Sequence, residues 1–397
     1  MRLSTGLKPM QQKKPLRSSE IEVSVVMPCL NEEPTIGVCV EKALQTFERY
    51  GIRGEVVVAD NNSTDCSVEI ALSKGARVVH QIDPGYGNAY RKGIAMARGK
   101  YIVMADSDNT YDFGQINQFI EPLRNGYDFV IGSRLKGNML KGSMPPLHRY
   151  IGNPLLSGVL RIMFHAKISD AHCGMRAFTR EAYQRMHLIT TGMEFASEMV
   201  INAVKAGLKI KEIPITYYRR EGESKLRSFH DGWRHLRFML LYSPNHLFLV
   251  PGLIFFVLGL AMMTALLFGP IVINNRTFDI HCMIIGGLLN IIGLQTVALG
   301  MLGKAYSFTE KFETRDRVVE FFYRYFTLER ALAFGGLYLL VGVFCILSVV
   351  YQWAISSFGP LNEARMIFFG TVIIVNAVQM IFSSFLLSMM AIKTRLN

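Results

Sequence analysis

Four long apolar segments constrain this chain more than any other feature. They cover about residues 246–269, 280–303, 332–355 and 366–391 of 397. Each matches the roughly 20 residues that a helix needs to cross the hydrocarbon core of a bilayer. Backbone groups in that core must bond within their own segment, so all four are predicted to be spanning helices. Hydrophobic residues make up 50% of the chain, and the excess lies here. The first 245 residues read instead as an α/β globular domain. An integral membrane protein is expected, of the cell membrane in a prokaryote.

The net charge of +12 raises the question of nucleic acid, but its distribution answers against it. Lys and Arg gather in the N-terminal tail, before the first span, and in the loop between the second and third. That loop carries Lys304, Lys311, Arg315, Arg317, Arg324 and Arg330. The other two loops show Arg276 and Arg365. Basic residues in short loops mark the cytoplasmic side, which assigns the N-terminal domain, the basic loop and the Lys393–Arg395 tail to the cytoplasm. The first twenty residues are basic and polar with no apolar centre, so no signal peptide is expected, and residues 1–20 are expected to be disordered. Cys29, Cys39, Cys66, Cys173, Cys282 and Cys345 form no C-x-x-C and read as buried thiols rather than metal ligands.

Apolar runs alternate with helical patterns in the N-terminal domain. Strands are predicted at Ile21–Met27, Glu55–Ala59, Ala76–His80 and from Tyr101, with helices between them. Thr35 is the expected cap of the first helix. This alternation predicts an α/β fold, a Rossmann-like, mostly parallel sheet with helices on both faces. Neither G-x-G-x-x-G after the first strand nor a G-x-x-x-x-G-K-[ST] loop is present. The fourth strand, Tyr101-Ile-Val-Met-Ala, ends in Asp106-Ser107-Asp108. Open α/β sheets bind ligands at such strand ends. Two carboxylates this close repel, and a hard divalent ion on a diphosphate would relieve them. An isolated D-x-D is more often a solvated strand-to-turn junction than a site.

Six pieces in order carry a resemblance over about residues 21–245. They are Val25-Val-Met-Pro28-Cys-Leu30-Asn31-Glu32, Val58-Ala-Asp60-Asn-Asn-Ser63-Thr-Asp65, and Gly85-Tyr-Gly-Asn88 with Asp106-Ser-Asp108. Ile131-Gly-Ser-Arg134 with His148-Arg149, Asp170-Ala-His-Cys-Gly174-Met-Arg176, and Arg219-Arg220-Glu-Gly222-Glu-Ser224-Lys225 complete the set. Together they resemble inverting family 2 glycosyltransferases of GT-A fold, in the polyprenyl-phosphate branch that includes dolichol-phosphate mannose synthase.

The resemblance implies a nucleotide-sugar donor held by Pro28, Leu30, Glu32, Val58, Asp60, Ala105 and Asp106. It implies Mg²⁺ or Mn²⁺ on Asp106 and Asp108, with Thr110 standing where the family often has Gln, which puts the third protein contact in doubt. The acceptor it implies is a polyprenyl phosphate, a dianion that needs no protein base. Arg134 and Arg149 would hold the acceptor phosphate, and Arg219 and Lys225 would lie nearer the donor phosphates. Asp170 and Arg176 read as a structural ion pair, Glu198 as a base or sugar contact, and His148, His172 and His187 as local hydrogen-bond partners. Residues 225–245 mix apolar and basic side chains around Trp233 and read as an amphipathic helix in the headgroup region. The expected organisation is a tail (1–20), a catalytic domain (21–224), that helix (225–245) and a membrane domain (246–397). The glycines of the spans suit close packing and an oligomer interface. A processive polysaccharide synthase is disfavoured because neither Trp233 nor Trp353 follows Arg. A flippase is disfavoured because no acid falls within the spans.

Overall fold

A computed structural model describes residues 21–221, 228–309, 327–360 and 363–395, and of residues 228–231, 307–309 and 391–395 it describes the backbone alone. The 1–20 tail, Lys225, Lys311, Arg315, Arg317 and Arg324 lie outside the described residues. The chain divides into two compact units, with the boundary between Met239 and Leu240.

The first unit is built on seven strands: β1 (Val23–Cys29), β2 (Gly54–Asp60), β3 (Arg77–His80), β4 (Tyr101–Met104), β5 (Phe129–Met139), β6 (Arg176–Thr179) and β7 (Ile210–Tyr217). Their order is β3-β2-β1-β4-β6-β5-β7. β6 runs antiparallel to β4 and β5, and the other pairings are parallel. β4 is buried at every position and β1 at nearly every one, so both faces of the sheet are covered. The covering helices are α1 (Glu33–Tyr50), α2 (Ser67–Ser73), α3 (Tyr86–Met96), α4 (Ile116–Arg124), α5 (Asn153–Phe164), α6 (Arg180–Met186), α7 (Phe195–Lys205) and α8 (Ser228–Leu241).

β1 and β2 run past their expected ends because each completes the other's ladder, Cys29 pairing with Asp60. That extension carries Pro28 and Asp60 to the edge of the sheet where β4 also stops. α1 starts at Glu33, with Pro34 in its first turn, and ends at Gly51, whose φ of 62° suits glycine. Thr35 is therefore inside the helix rather than its cap. Its hydroxyl donates instead to the Ser107 carbonyl at 2.8 Å, fastening α1 to the D-x-D turn. Cys66 is exposed, against the expectation of burial, while Cys29, Cys39 and Cys173 are buried.

The second unit contains α9 (Val250–Leu266), a hairpin of β8 (Ile271–Ile273) and β9 (Arg276–Phe278), α10 (Ile280–Thr309), α11 (Leu328–Ile355) and α12 (Ala364–Arg395). Among the described residues, four helical stretches are long and apolar enough to cross a membrane: Asn245–Leu266, Ile280–Tyr306, Leu328–Ile355 and Ala364–Met390. The hairpin turns on Asn274 and Asn275, with φ of 47° and 62°, the backbone of a two-residue turn. Glycines bring α9 and α10 together: a Cβ on Gly259 would sit 2.4 Å from Asn290 N, and one on Gly293 2.3 Å from Phe256 N. Asn290 Nδ2 donates to the Phe256 carbonyl at 2.9 Å, and Asn376 Nδ2 of α12 donates to Asn290 Oδ1 at 2.6 Å. Both asparagines are wholly buried. These amides tie three helices together where water is absent.

Candidate active site

The chain steps from β1 to β2 and β3 on one side, then returns to β4 on the other side of β1. Connections diverge there, and the C-terminal ends of β1 and β4 leave a crevice between them. The D-x-D turn spans it. Ser107 Oγ donates to the Pro28 carbonyl at 2.6 Å, which fixes the turn against the end of β1.

The two acids have different surroundings. Asp106 Oδ1 accepts from the phenols of Tyr86 at 2.9 Å and Tyr90 at 3.2 Å. Burial, with the neighbouring Asp108 charge, pushes its carboxyl up to about 6, against the pull of both phenols and Arg220. Burial also raises the phenols of Tyr86, Tyr90 and Tyr111 well above their ordinary range, so they remain neutral donors. Asp108 Oδ1 accepts from Thr110 N at 3.2 Å and Thr110 Oγ1 at 2.5 Å, an Asx-type turn. Asp108 Oδ2 faces Arg220 Nη1 at 3.2 Å. The Thr110 hydroxyl is thus engaged in orienting Asp108.

Around these acids stand the other expected donor-site residues. Asp60 is buried, its Oδ1 accepting from Ser63 N at 3.1 Å and its Oδ2 3.1 Å from His80 Nδ1. Glu32 Oε1 accepts from Arg220 Nη2 at 2.9 Å. Val58 and Ala105 are core positions, Leu30 is exposed, and Pro28 is half-buried.

Arg134 emerges from β5 and is 7% exposed. Asp170 grips it through Nε and Nη2, both at 2.8 Å, and also accepts its backbone N–H at 3.0 Å. The guanidinium lies 5.3 Å from the centre of the Tyr217 ring, which also packs on Tyr111. Tyr217 feels the charges of Arg134, Asp108 and Asp106 together, so the buried cation and the two acids share one neighbourhood. The expected Asp170–Arg176 pair is replaced by this one. Arg176, fully buried, donates to the carbonyls of Cys173, Ala196 and Ala171 and holds the loop as a backbone clamp. Gly174 in that loop is required: a Cβ would lie 2.8 Å from Asp106 Oδ2 and 3.0 Å from the Tyr111 hydroxyl.

Arg149 sits in a wide turn, His148–Gly152, that leads into α5, with its guanidinium 5.4 Å from the Tyr150 ring. Arg219 is exposed, whereas Arg220 makes the contacts with Glu32 and Asp108. No motif separates two adjacent arginines. Glu198, read from sequence as a base or sugar contact, is wholly buried and accepts from Ile189 N, Thr190 N and Thr190 Oγ1. It thereby positions the loop segment on which Gly85 and Gly87 close, where a Cβ would come within 2.3 Å and 2.5 Å of the carbonyls of Thr191 and Thr190. His172 makes the expected local bond, Nε2 to Ser197 Oγ at 3.1 Å, and Ser197 passes it to His235 of α8 at 2.8 Å.

Among the described residues no group of three His, Cys, Asp or Glu side chains is placed to hold a metal alone. Two hard carboxylates completed by diphosphate oxygens and water are nevertheless what Mg²⁺ takes in nucleotide sites, and Mn²⁺ accepts the same donors. Asp106 and Asp108 fit that ion.

Apolar stripes lie outside this cleft. Leu147, Ile151, Leu155 and Ile162, along the turn before α5 and α5 itself, are exposed at helical spacing. α8 buries His235 and Met239 and exposes Trp233, Arg237 and Leu241. The helix therefore packs on its domain by one face and leaves an amphipathic face open.

Known proteins agree with this layout. The model of glycosyl transferase family 2 matches residues 24–186, and that of the family 2 glycosyltransferase C-terminal transmembrane region matches 301–391. The low-salt glycan biosynthesis hexosyltransferase Agl6 of Haloferax volcanii is 43% identical over 366 residues, 92% of this chain and 88% of that protein. The dolichyl-phosphate hexose transferase of the same organism is 34% identical over 214 residues, 53% of this chain and 89% of that one. A solved glucosyl-3-phosphoglycerate synthase from Mycobacterium tuberculosis aligns with a TM-score of 0.46 at 21% identity, over 59% of this chain and 86% of that one. With a cleft of paired acids at the β1–β4 divergence, four apolar helices in the second unit and a relative matched along most of its length, the chain belongs to glycosyltransferase family 2 and is a membrane glycosyltransferase.

Proposed function

We propose that this enzyme moves one sugar from a nucleotide-sugar, with a uridine nucleotide preferred, to a polyprenyl phosphate at the cytoplasmic face of the membrane, with inversion. The observation that carries the reading is the buried Arg134, locked by Asp170 beside the two acids of the D-x-D turn. A cation with so little exposure and so fixed a direction suits a phosphate that must be held in one place. The named dolichyl-phosphate activity of a relative supports a lipid phosphate as the ligand.

Glu32 and Asp60 would accept from the nucleoside, and Asp106 and Asp108 would hold Mg²⁺ or Mn²⁺ on the diphosphate. That ion supplies Lewis-acid stabilisation of the charge on the departing nucleoside diphosphate. Arg134 and Arg149 orient the acceptor phosphate, whose own oxygen attacks the anomeric carbon, so catalysis rests on placement and charge. Tyr86 and Tyr90 hold Asp106, and Thr110 holds Asp108. The apolar stripes before and along α5 and on α8 suit immersion in the headgroup region, where a long lipid exposes only its phosphate.

Membranes containing the protein, given a panel of radiolabelled nucleotide-sugars, polyprenyl phosphate and Mg²⁺ or Mn²⁺, should pass label into the lipid extract. Label that entered no lipid with any donor would defeat the proposal.

A further inference from the structure

Arg220 occupies a place that a donor-bound site would need for something else. Its two terminal nitrogens face different acids, Nη2 on Glu32 at 2.9 Å and Nη1 on Asp108 at 3.2 Å. Glu32 follows β1 and Asp108 follows β4, so one guanidinium bridges both walls of the crevice. The segment bearing Arg220 is itself pinned to the D-x-D turn: Tyr218 N donates to the Thr110 carbonyl at 2.9 Å, and Asn109 Nδ2 donates to Glu221 Oε1 at 3.3 Å. The third guanidinium donor, Nε, is buried with no hydrogen-bond partner among the described residues. A buried donor left unpaired is rare and marks a site that is completed by something else.

Asp108 has one oxygen committed to Thr110, so Oδ2 is the one available to a cation, and Arg220 is on it. A divalent ion held by that oxygen would repel the guanidinium. We propose, building on the donor and metal reading above, that Arg220 is the internal counter-cation of the donor site. It neutralises Asp108 and Glu32 until metal and diphosphate arrive together, then yields Asp108 to the metal and turns its donors, Nε included, onto a diphosphate oxygen. Arg220 is a positioning residue in this account. It suppresses binding of bare metal and favours metal that comes with a diphosphate.

The test is Mn²⁺ binding to the purified full-length protein in detergent, read by electron paramagnetic resonance of free Mn²⁺, without and with UDP or GDP. Arg220→Gln should bind Mn²⁺ alone about tenfold more tightly than the unaltered chain, the factor expected if Asp108 is free of guanidinium in about a tenth of molecules. The same variant should lose much of the gain in Mn²⁺ affinity that the nucleotide confers. Arg220→Lys, which keeps the charge on a different head, should fall between, and an unchanged thermal unfolding temperature checks that both variants are folded. Mn²⁺ binding to Arg220→Gln that matched or fell below that of the unaltered protein would overturn the counter-cation role while leaving the metal site standing. No Mn²⁺ binding to either protein, with or without nucleotide, would overturn the metal reading and this inference with it.

Discussion

Gly174 has no room for even one methyl group, because its Cα faces Asp106 Oδ2 and the Tyr111 hydroxyl. Gly174→Ala should displace the Asp106 carboxylate and lower sugar transfer roughly a hundredfold, the usual penalty of about an ångström of misplacement. The protein should remain folded by circular dichroism. Asp108→Ala should lower transfer at least about a hundredfold, since it removes charge aimed at the leaving group. Why the acids were legible and their neighbours were not is a matter of chemistry. Asp106-Ser-Asp108 ends an apolar run, and a doubled charge there needs an explanation from sequence alone. Arg134 entered through its motif, but neither its lock by Asp170 nor the contact of Arg220 with Glu32 has any signal in the sequence. Glu212 gave no sign at all, yet its Oε1 accepts from Ser169 N at 2.8 Å, Ser169 Oγ at 2.6 Å and Asp170 N at 3.1 Å. Burial works to raise its carboxyl, but Lys136 and these donors prevail and hold it below the ordinary range. A depressed acid stabilises the fold above its unfolded pKa of about 4.3 and loses that contribution as pH falls through the folded value. Glu212→Gln should therefore lower the unfolding temperature at pH 7, and the gap from the unaltered chain should close in the acid range below about pH 4.

At the scale of elements, the first four strands were readable, and β5, β6 and β7 were not. β1, β2 and β4 are continuous apolar runs, which the pattern of a buried strand predicts. β6 is four residues long, begins with the buried Arg176 and runs against its neighbours, so neither length nor hydropathy announces it. The hairpin of β8 and β9 escaped for the same reason, being two strands of three residues. α5 offers the sharpest test at this scale. Replacing Ile151 of the preceding turn and Leu155 of α5 together by Glu puts two charges on the exposed stripe. Transfer to a long-chain polyprenyl phosphate should fall several-fold, and transfer to a short water-soluble acceptor should be unchanged. Equal loss with both acceptors would remove the membrane role of that stripe. The loop that carries Asp170 makes a different prediction. Asp170→Ala leaves Arg134 buried and unpaired, which costs about 3–5 kcal/mol when one partner of a buried pair is removed. Chemical denaturation should show that loss.

Taken whole, the molecule joins a sheet domain whose chemistry lies at strand ends to a membrane unit whose packing rests on glycines and two amides. The amides give the membrane unit an order of assembly. A nascent chain presents α9 and α10 to the bilayer first, and these can close on their glycines and on the Asn290–Phe256 bond at once. Asn290 Oδ1 then waits in hydrocarbon for a donor encoded 86 residues later, at Asn376. α12, synthesised after that pair, thus acts as a seal on it, and a chain released before Ala364 would carry an unmet carbonyl that quality-control proteases can recognise. Such a truncated chain should be cleared from membranes faster than the full chain in a pulse-chase experiment, and Asn290→Leu should restore much of its lifetime.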